Sequence, residues 1–188
     1  MKNTLKSAML LVLAITFASF ATLKTQKVDV KASQITWTGH KVTGQHDGTL
    51  TLKDGTLEFN DKQLVGGEFT MDMTSINTTD LEGKSKAKLD GHLKSDDFFG
   101  TEKYPTATLK FTEVKGQGTD YTVTGDLTVK GITKPITFNM TVAEDSAKAS
   151  FKIDRTKYGI RYGSASFFDD LQDKAIYNEF DVNVSLKF

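Results

Sequence analysis

Residues 176–188 read Ile-Tyr-Asn-Glu-Phe-Asp-Val-Asn-Val-Ser-Leu-Lys-Phe, and this stretch decides the fold. Ile176, Phe180, Val182, Val184, Leu186 and Phe188 share one phase, while Glu179, Asp181, Asn183, Ser185 and Lys187 share the other. Such a period of two belongs to a strand with one buried and one wetted face, whereas a helix would scatter these residues around its surface. The same alternation recurs upstream. Tyr121, Val123, Leu127 and Val129 alternate with Thr122, Thr124, Asp126, Thr128 and Lys130, and Ile136, Phe138, Met140 and Val142 alternate with Thr137, Asn139 and Thr141.

Working outward, strands are expected at Ile35 to Val42, His46 to Leu52, Thr56 to Phe59, Val65 to Met73, Thr106 to Val114 and Ala147 to Asp154. Asp54-Gly55 and Asn60-Asp61 read as turns between them, and residues 130–135 as a hairpin connection. About eight or nine strands, many joined by short turns, predict an all-β, antiparallel, up-and-down barrel whose closure hides both edges. Two long interruptions stand out. Ser75 to Pro105 contains a short surface helix expected over Lys84 to Lys94, with Leu89 and Leu93 four apart, followed by Asp96-Asp97-Phe98-Phe99-Gly100. Arg155 to Lys174 carries Tyr158, Tyr162, Phe167 and Phe168.

The first 21 residues place Lys2 and Lys6 before an apolar run from Ala8 to Phe17 and end in Ser19-Phe20-Ala21. This is the layout of a cleavable signal peptide, and the run is shorter than the ~20 residues a spanning helix requires. The reading is therefore a signal at 1–21, one exported domain at 22–188, and no stable membrane insertion. Export fits a chain with 0 Cys, which also removes thiolate chemistry. Lys+Arg 24 balance Asp+Glu 24, so the basic excess of a nucleic-acid binder is missing.

An inward phase this rich in rings, with Phe 13 in the chain, admits two readings. Trp37, Phe69, Met71, Leu109, Phe111, Phe138, Phe151 and Phe180 either pack on one another or wall a cavity, since an eight-stranded barrel is just wide enough for side chains or for one small ligand. Burying an alkenyl chain there would contribute about 0.8 kcal/mol per CH₂. Lys41 and Arg155 fall in the apolar phase at the ends of their strands. With Arg161 they form a candidate head-group site at one mouth, the alternative being pairing with Asp96, Asp97, Asp154 or Asp169. Phe98 and Phe99 read as a cap on a barrel end, and Phe167 and Phe168 as a cap or an entrance.

The histidines His40, His46 and His92 show no zinc spacing, and there is no Gly-x-Ser-x-Gly elbow and no phosphate loop. No catalytic residue, metal or cofactor is assigned.

Several stretches, taken in order, carry a resemblance: residues 37–41 (Trp-Thr-Gly-His-Lys), 46–48 (His-Asp-Gly), 66–69 (Gly-Gly-Glu-Phe) and 92–99 (His-Leu-Lys-Ser-Asp-Asp-Phe-Phe). They continue with 103–108 (Lys-Tyr-Pro-Thr-Ala-Thr), 125–135 (Gly-Asp-Leu-Thr-Val-Lys-Gly-Ile-Thr-Lys-Pro) and 153–160 (Ile-Asp-Arg-Thr-Lys-Tyr-Gly-Ile). The chain resembles the YceI-like family of polyisoprenoid-binding, lipocalin-like proteins of bacterial periplasms. The resemblance implies an eight-stranded barrel that holds a long isoprenoid, isoprenoid quinone or similar lipid, without catalysis, in the periplasm. It allows a homodimer, though no stripe of exposed apolar residues marks an interface. The alternatives are an enzyme acting on a bound lipid, and an envelope adaptor or stress protein with a packed core.

Overall fold

The computed structural model describes residues 22–188. The strands are β1 (Leu23–Lys27), β2 (Gln34–Lys41), β3 (Gly44–Asn60), β4 (Gln63–Thr78), β5 (Thr106–Gln117), β6 (Asp120–Val129), β7 (Ile132–Val142), β8 (Ser146–Asp154) and β9 (Ile176–Lys187). One helix, α1 (Gly83–Lys94), follows β4, and a 3-10 turn at Arg155–Tyr158 follows β8. All pairings are antiparallel; apart from β1 with β3 they join chain neighbours, and β9 returns to β2. Because β3 also pairs with β4, the sheet closes on itself. The one edge of β3 is shared end to end: β2 takes residues 44–50 and β1 takes residues 56–60. Nine strands therefore fill the eight staves of a closed barrel.

The signal sequence predicted at 1–21 lies outside the described residues. Among the described residues no helix is long and apolar enough to cross a membrane.

Asp54-Gly55 is not a turn. It lies inside the continuous strand β3, where the register against β4 shifts between Leu52 and Asp54. A Cβ on Gly55 would stand 2.8 Å from Phe69 Cδ1, so this glycine serves a close approach at a bulge instead of a reversal. Asn60-Asp61 does reverse the chain, with Asp61 at φ 56. The connection expected over 130–135 is tighter: Lys130 and Gly131, at φ 51 and 73, form a two-residue turn, and β7 starts at Ile132. Pro135 is tolerated because that part of β7 pairs only with β6; its ladder to β8 covers just Met140, Thr141 and Val142.

The strand β4 also outruns its expected end at Met73. A bulge at Thr74-Ser75 carries it on to Thr78. Asp72 Oδ1 accepts from the Thr74 backbone N–H at 2.9 Å and hydroxyl at 2.6 Å, while the Ser75 hydroxyl accepts from Thr51 N–H at 2.8 Å. The bulge switches parity, so Ile76 is buried although Met73 is too.

The two ends of the barrel differ. One is closed by short reversals at 61–62, 118–119 and 143–145. The other collects both long connections, 79–105 and 155–175. There α1 is fastened to β4 by Asp90, whose Oδ1 accepts from Thr78 N–H at 2.8 Å and whose Oδ2 meets Lys86 at 2.6 Å. Burial opposes ionisation of Asp90, but the bonds from Lys86 and Thr78 outweigh it and hold the carboxyl below its usual range. Leu93, Phe98 and Phe99 turn inward at this end, and the two phenylalanines cap it as expected. The second connection leans on the first, with the His92 and Tyr162 rings 4.3 Å apart.

Candidate ligand-binding site

The barrel interior is not filled. A cavity of about 170 Å³ runs through it. At the ~10–15 Å³ a water-sized group requires, this is room for roughly a dozen such groups. All eight residues read from the inward phase line it: Trp37, Phe69, Met71, Leu109, Phe111, Phe138, Phe151 and Phe180. The strands deliver them by parity alone, β2 giving Trp37, β4 Phe69 and Met71, β5 Leu109 and Phe111, and β7 to β9 the remaining phenylalanines.

The rings form a continuous wall. Phe69 meets Phe111 at 5.5 Å between centroids, Phe111 meets Phe138 edge-on at 6.1 Å, and Phe138 stacks on Phe151 at 4.7 Å. Phe111 and Phe138 reach each other diagonally across β6, where Phe111 faces Gly125 and Phe138 faces Val123. Large rings that brace each other in this way hold space open, since a ring cannot fold back on itself to fill a void as a flexible Met or Leu can.

The lining comes to exposed residues at the seam of β2 and β9. Along β2 and β9, Gly39 faces Phe180 but Lys41 faces Ile176, so three residues of β9 span the length of one residue of β2. His40, Tyr177 and Glu179 stand at this break and contribute to the lining, and Tyr177 is 56% exposed. None of the three is evident from alternation, because a bulge takes residues out of phase. Outside the seam, His40 Nε2 and Lys152 Nζ each lie 2.6 Å from the Asp181 carboxylate. The bond from Lys152, then that from His40, holds the Asp181 carboxyl below its ordinary value.

The three expected cations separate. Arg155 lines the cavity and is 2% exposed. Lys41 ends β2 half-buried and is not part of the lining. Arg161 is exposed and stacks on the Phe167 ring at 4.7 Å, and both Phe167 and Phe168 are about half exposed, away from the lining. The alternative of a carboxylate partner for Arg155 also fails. Asp96 pairs with Lys103 at 3.0 Å, and Asp154 caps the following turn, accepting from Thr156 N–H at 2.9 Å. Arg155 instead donates to three backbone carbonyls: Nε to Tyr177 at 3.1 Å, Nη1 to Ile160 at 2.9 Å and Nη2 to Ile176 at 3.1 Å.

Local sequence puts it there. Asp154 starts the 3-10 turn as its cap, Gly159 at φ 75 ends it, and the intervening residues turn Arg155 and Tyr158 inward. Burial lowers the pKa of Arg155 and pushes the Tyr158 hydroxyl up to about 12, so the latter stays neutral.

His40 and His46 bind separate aspartates, Asp181 and Asp80, and His92 packs between the Phe98 and Tyr162 rings.

Against known proteins, the family model described as the YceI-like domain matches residues 26–188. Protein YceI of Escherichia coli is 43% identical over 90 residues, covering 48% of this chain and 45% of that protein. The matched segment thus spans about half the length of the curated relative. Two solved structures share the fold. BcnA of Burkholderia cenocepacia superposes with a TM-score of 0.68 at 20% identity, over 85% of this chain and 98% of that one. A polyisoprenoid binding domain from Saccharophagus degradans gives 0.61 at 16% identity, over 88% and 97%. With the family pattern matched along nearly the whole barrel, from within β1 to the last residue, the chain belongs to the YceI-like domain family.

Proposed function

We propose that the protein binds a long-chain apolar ligand, a polyisoprenoid, isoprenoid quinone or similar lipid, inside the barrel, and carries or stores it without chemical change in the bacterial envelope. The observation that carries this reading is the cavity itself: a closed barrel normally fills with side chains, and here braced aromatic rings enclose space walled almost wholly by carbon. An apolar cavity of this kind favours an apolar guest over water. The relative from Saccharophagus degradans, described as a polyisoprenoid binding domain, supports the choice of ligand class. The predicted signal at 1–21 and the likeness to YceI proteins support an envelope location.

Among the described residues, the cavity wall holds no pair of nucleophile and base. His40, the one imidazole in the lining, is engaged with Asp181, and no serine lines the cavity beside it. A binding role therefore fits the lining better than hydrolysis. Organic extraction of protein purified from its native envelope, followed by mass spectrometry, tests the reading. A prenyl or acyl chain recovered in stoichiometric amount is the expected result; protein that is empty, and that takes up no apolar chain when offered one, overturns it.

A further inference from the structure

The exposed rings of this barrel are gathered at one end. Among the described residues the exposed phenylalanines and tyrosines are Tyr104, Tyr162, Phe167, Phe168 and Tyr177, and all stand in the two long connections or at the start of β9. Val42 and Ile132, at the β2–β3 and β6–β7 reversals, join them there. Of the large apolar residues towards the opposite end, closed by short reversals, only Leu23 and Val65 are exposed.

Capping does not explain these rings, since Phe98 and Phe99 already cover the barrel end and are buried in doing so. The turn that carries Phe167 and Phe168 is fixed in its pose. Both backbone N–H groups donate to the Ser164 carbonyl, at 3.0 and 3.1 Å. The buried Ser164 hydroxyl bonds Asn178 Oδ1 of β9 at 2.6 Å, and Asn178 Nδ2 donates to Ser166 Oγ at 2.8 Å. Two neighbouring rings are thus held half exposed by a turn anchored to the barrel, and a cluster of this kind marks a contact surface. It is also joined to the candidate site. Tyr177 is exposed yet lines the cavity beside Ile176, whose N–H donates to the Gly163 carbonyl, next to Tyr162, at 2.7 Å.

We infer that this end of the barrel docks reversibly on the surface of a lipid bilayer, with Phe167 and Phe168 entering the headgroup region, and that the bound molecule is exchanged there. This rests on the binding reading above and adds the partner from which the site is filled. A long apolar chain costs about 0.8 kcal/mol per CH₂ to bring into water, so it passes most readily where protein and bilayer touch. Rings that straddle the boundary of water and acyl chains are the residues such a surface favours. Arg161, stacked on Phe167 at 4.7 Å, sets a cation at the level of the lipid phosphates. Lys157 and Lys174 are offset by Asp169, Asp170 and Asp173 in the same connection, so the rings, not net charge, drive the contact. A protein partner or a second copy fits less well, because the rings stand on separate connections with charges among them, whereas the core of a protein interface is depleted of charge.

Flotation with phosphatidylcholine vesicles tests the inference, together with the rate at which the protein takes diphenylhexatriene, an apolar fluorophore, from vesicles loaded with it. Wild-type protein is expected to float at ~0.1 and ~1 M NaCl alike, and to load at a rate proportional to vesicle concentration. Combining Phe167→Ser with Phe168→Ser, neither of which lines the cavity, should weaken vesicle binding roughly tenfold or more and slow loading from vesicles, with uptake of fluorophore added from ethanol unchanged. Leu23→Ser, at the opposite end, should change none of these. Wild-type protein that does not float, floats only at low salt, or loads at a rate independent of vesicle concentration overturns the docking, as does flotation that survives the paired substitution. A dimer dissolved by that substitution, in place of flotation, assigns the rim to a second copy and overturns it too. Protein that takes up the fluorophore from ethanol but does not float loses only the docking; protein that takes it up from neither source loses the binding reading, and the exchange step with it.

Discussion

Trp37 and Gly48 face each other across β2 and β3, and the indole occupies the space where a side chain of residue 48 would be. A Cβ there collides with the Trp37 ring and with the Asn77 carbonyl oxygen, the latter being backbone that cannot swing away. Gly48→Ala is therefore expected to destabilise by about 1–3 kcal/mol, the usual range for overpacking, read from urea denaturation followed by Trp37 fluorescence. The role of Trp37 was legible from its phase. The need for Gly48 was not, since it depends on which residue lies opposite. Asp181 is similar: its outward phase was plain, but the convergence of Lys152 and His40 on it requires the order β2, β9, β8. Because its pKa is depressed in the folded state, the stability it contributes is complete above the unfolded value of about 4 and is lost as pH falls through the lower, folded one. Asp181→Asn should thus lower Tm at neutral pH, and the gap to wild type should close in melts below about pH 4. A gap that stays constant with pH would show that ionisation of Asp181 is not its source.

At the scale of elements, alternation located every stave of the barrel but misplaced its ends, and the reasons are specific. Bulges at Leu52–Asp54 and Thr74–Ser75 change parity without ending a strand, so β3 read as two strands and β4 stopped early. The strand β1 escaped because Leu23 to Lys27 has no inward apolar phase of its own; it is exposed along most of its length and held by its ladder to β3. The helix α1 was legible from Leu89 and Leu93, yet its low apolar content means that packing alone fixes it poorly. Its anchor is Asp90, which binds both the end of β4 and Lys86. Asp90→Ala leaves the Thr78 N–H without that acceptor and should cost about 1–3 kcal/mol. Hydrogen exchange should locate the loss in α1 and the end of β4, with protection in β6 to β9 retained; uniform acceleration around the barrel would mean that α1 and the staves open as one unit.

For the molecule as a whole, the open matter in the sequence was whether the inward phase is core or container, and parity cannot answer it. Alternation says which residues face in; it does not say whether their volumes sum to the volume enclosed, and that depends on strand tilt and on the rings bracing each other. A packed core and a container respond in opposite ways to added bulk. Ala149 lines the cavity on β8, opposite Val184 of β9 and next to Met140 of β7. In a close-packed interior a large side chain there would be accommodated only with strain of about 1–3 kcal/mol. In a container it enters empty space, gains dispersion contacts and buries apolar surface at about 25 cal/mol per Å². Ala149→Phe is accordingly expected to leave Tm unchanged or raise it, while reducing the apolar chain recovered by organic extraction. A fall in Tm with undiminished binding would place the guest elsewhere. Filling at residue 149 takes away room between the phenylalanines, so a loss of binding without a loss of stability ties the guest to the barrel interior.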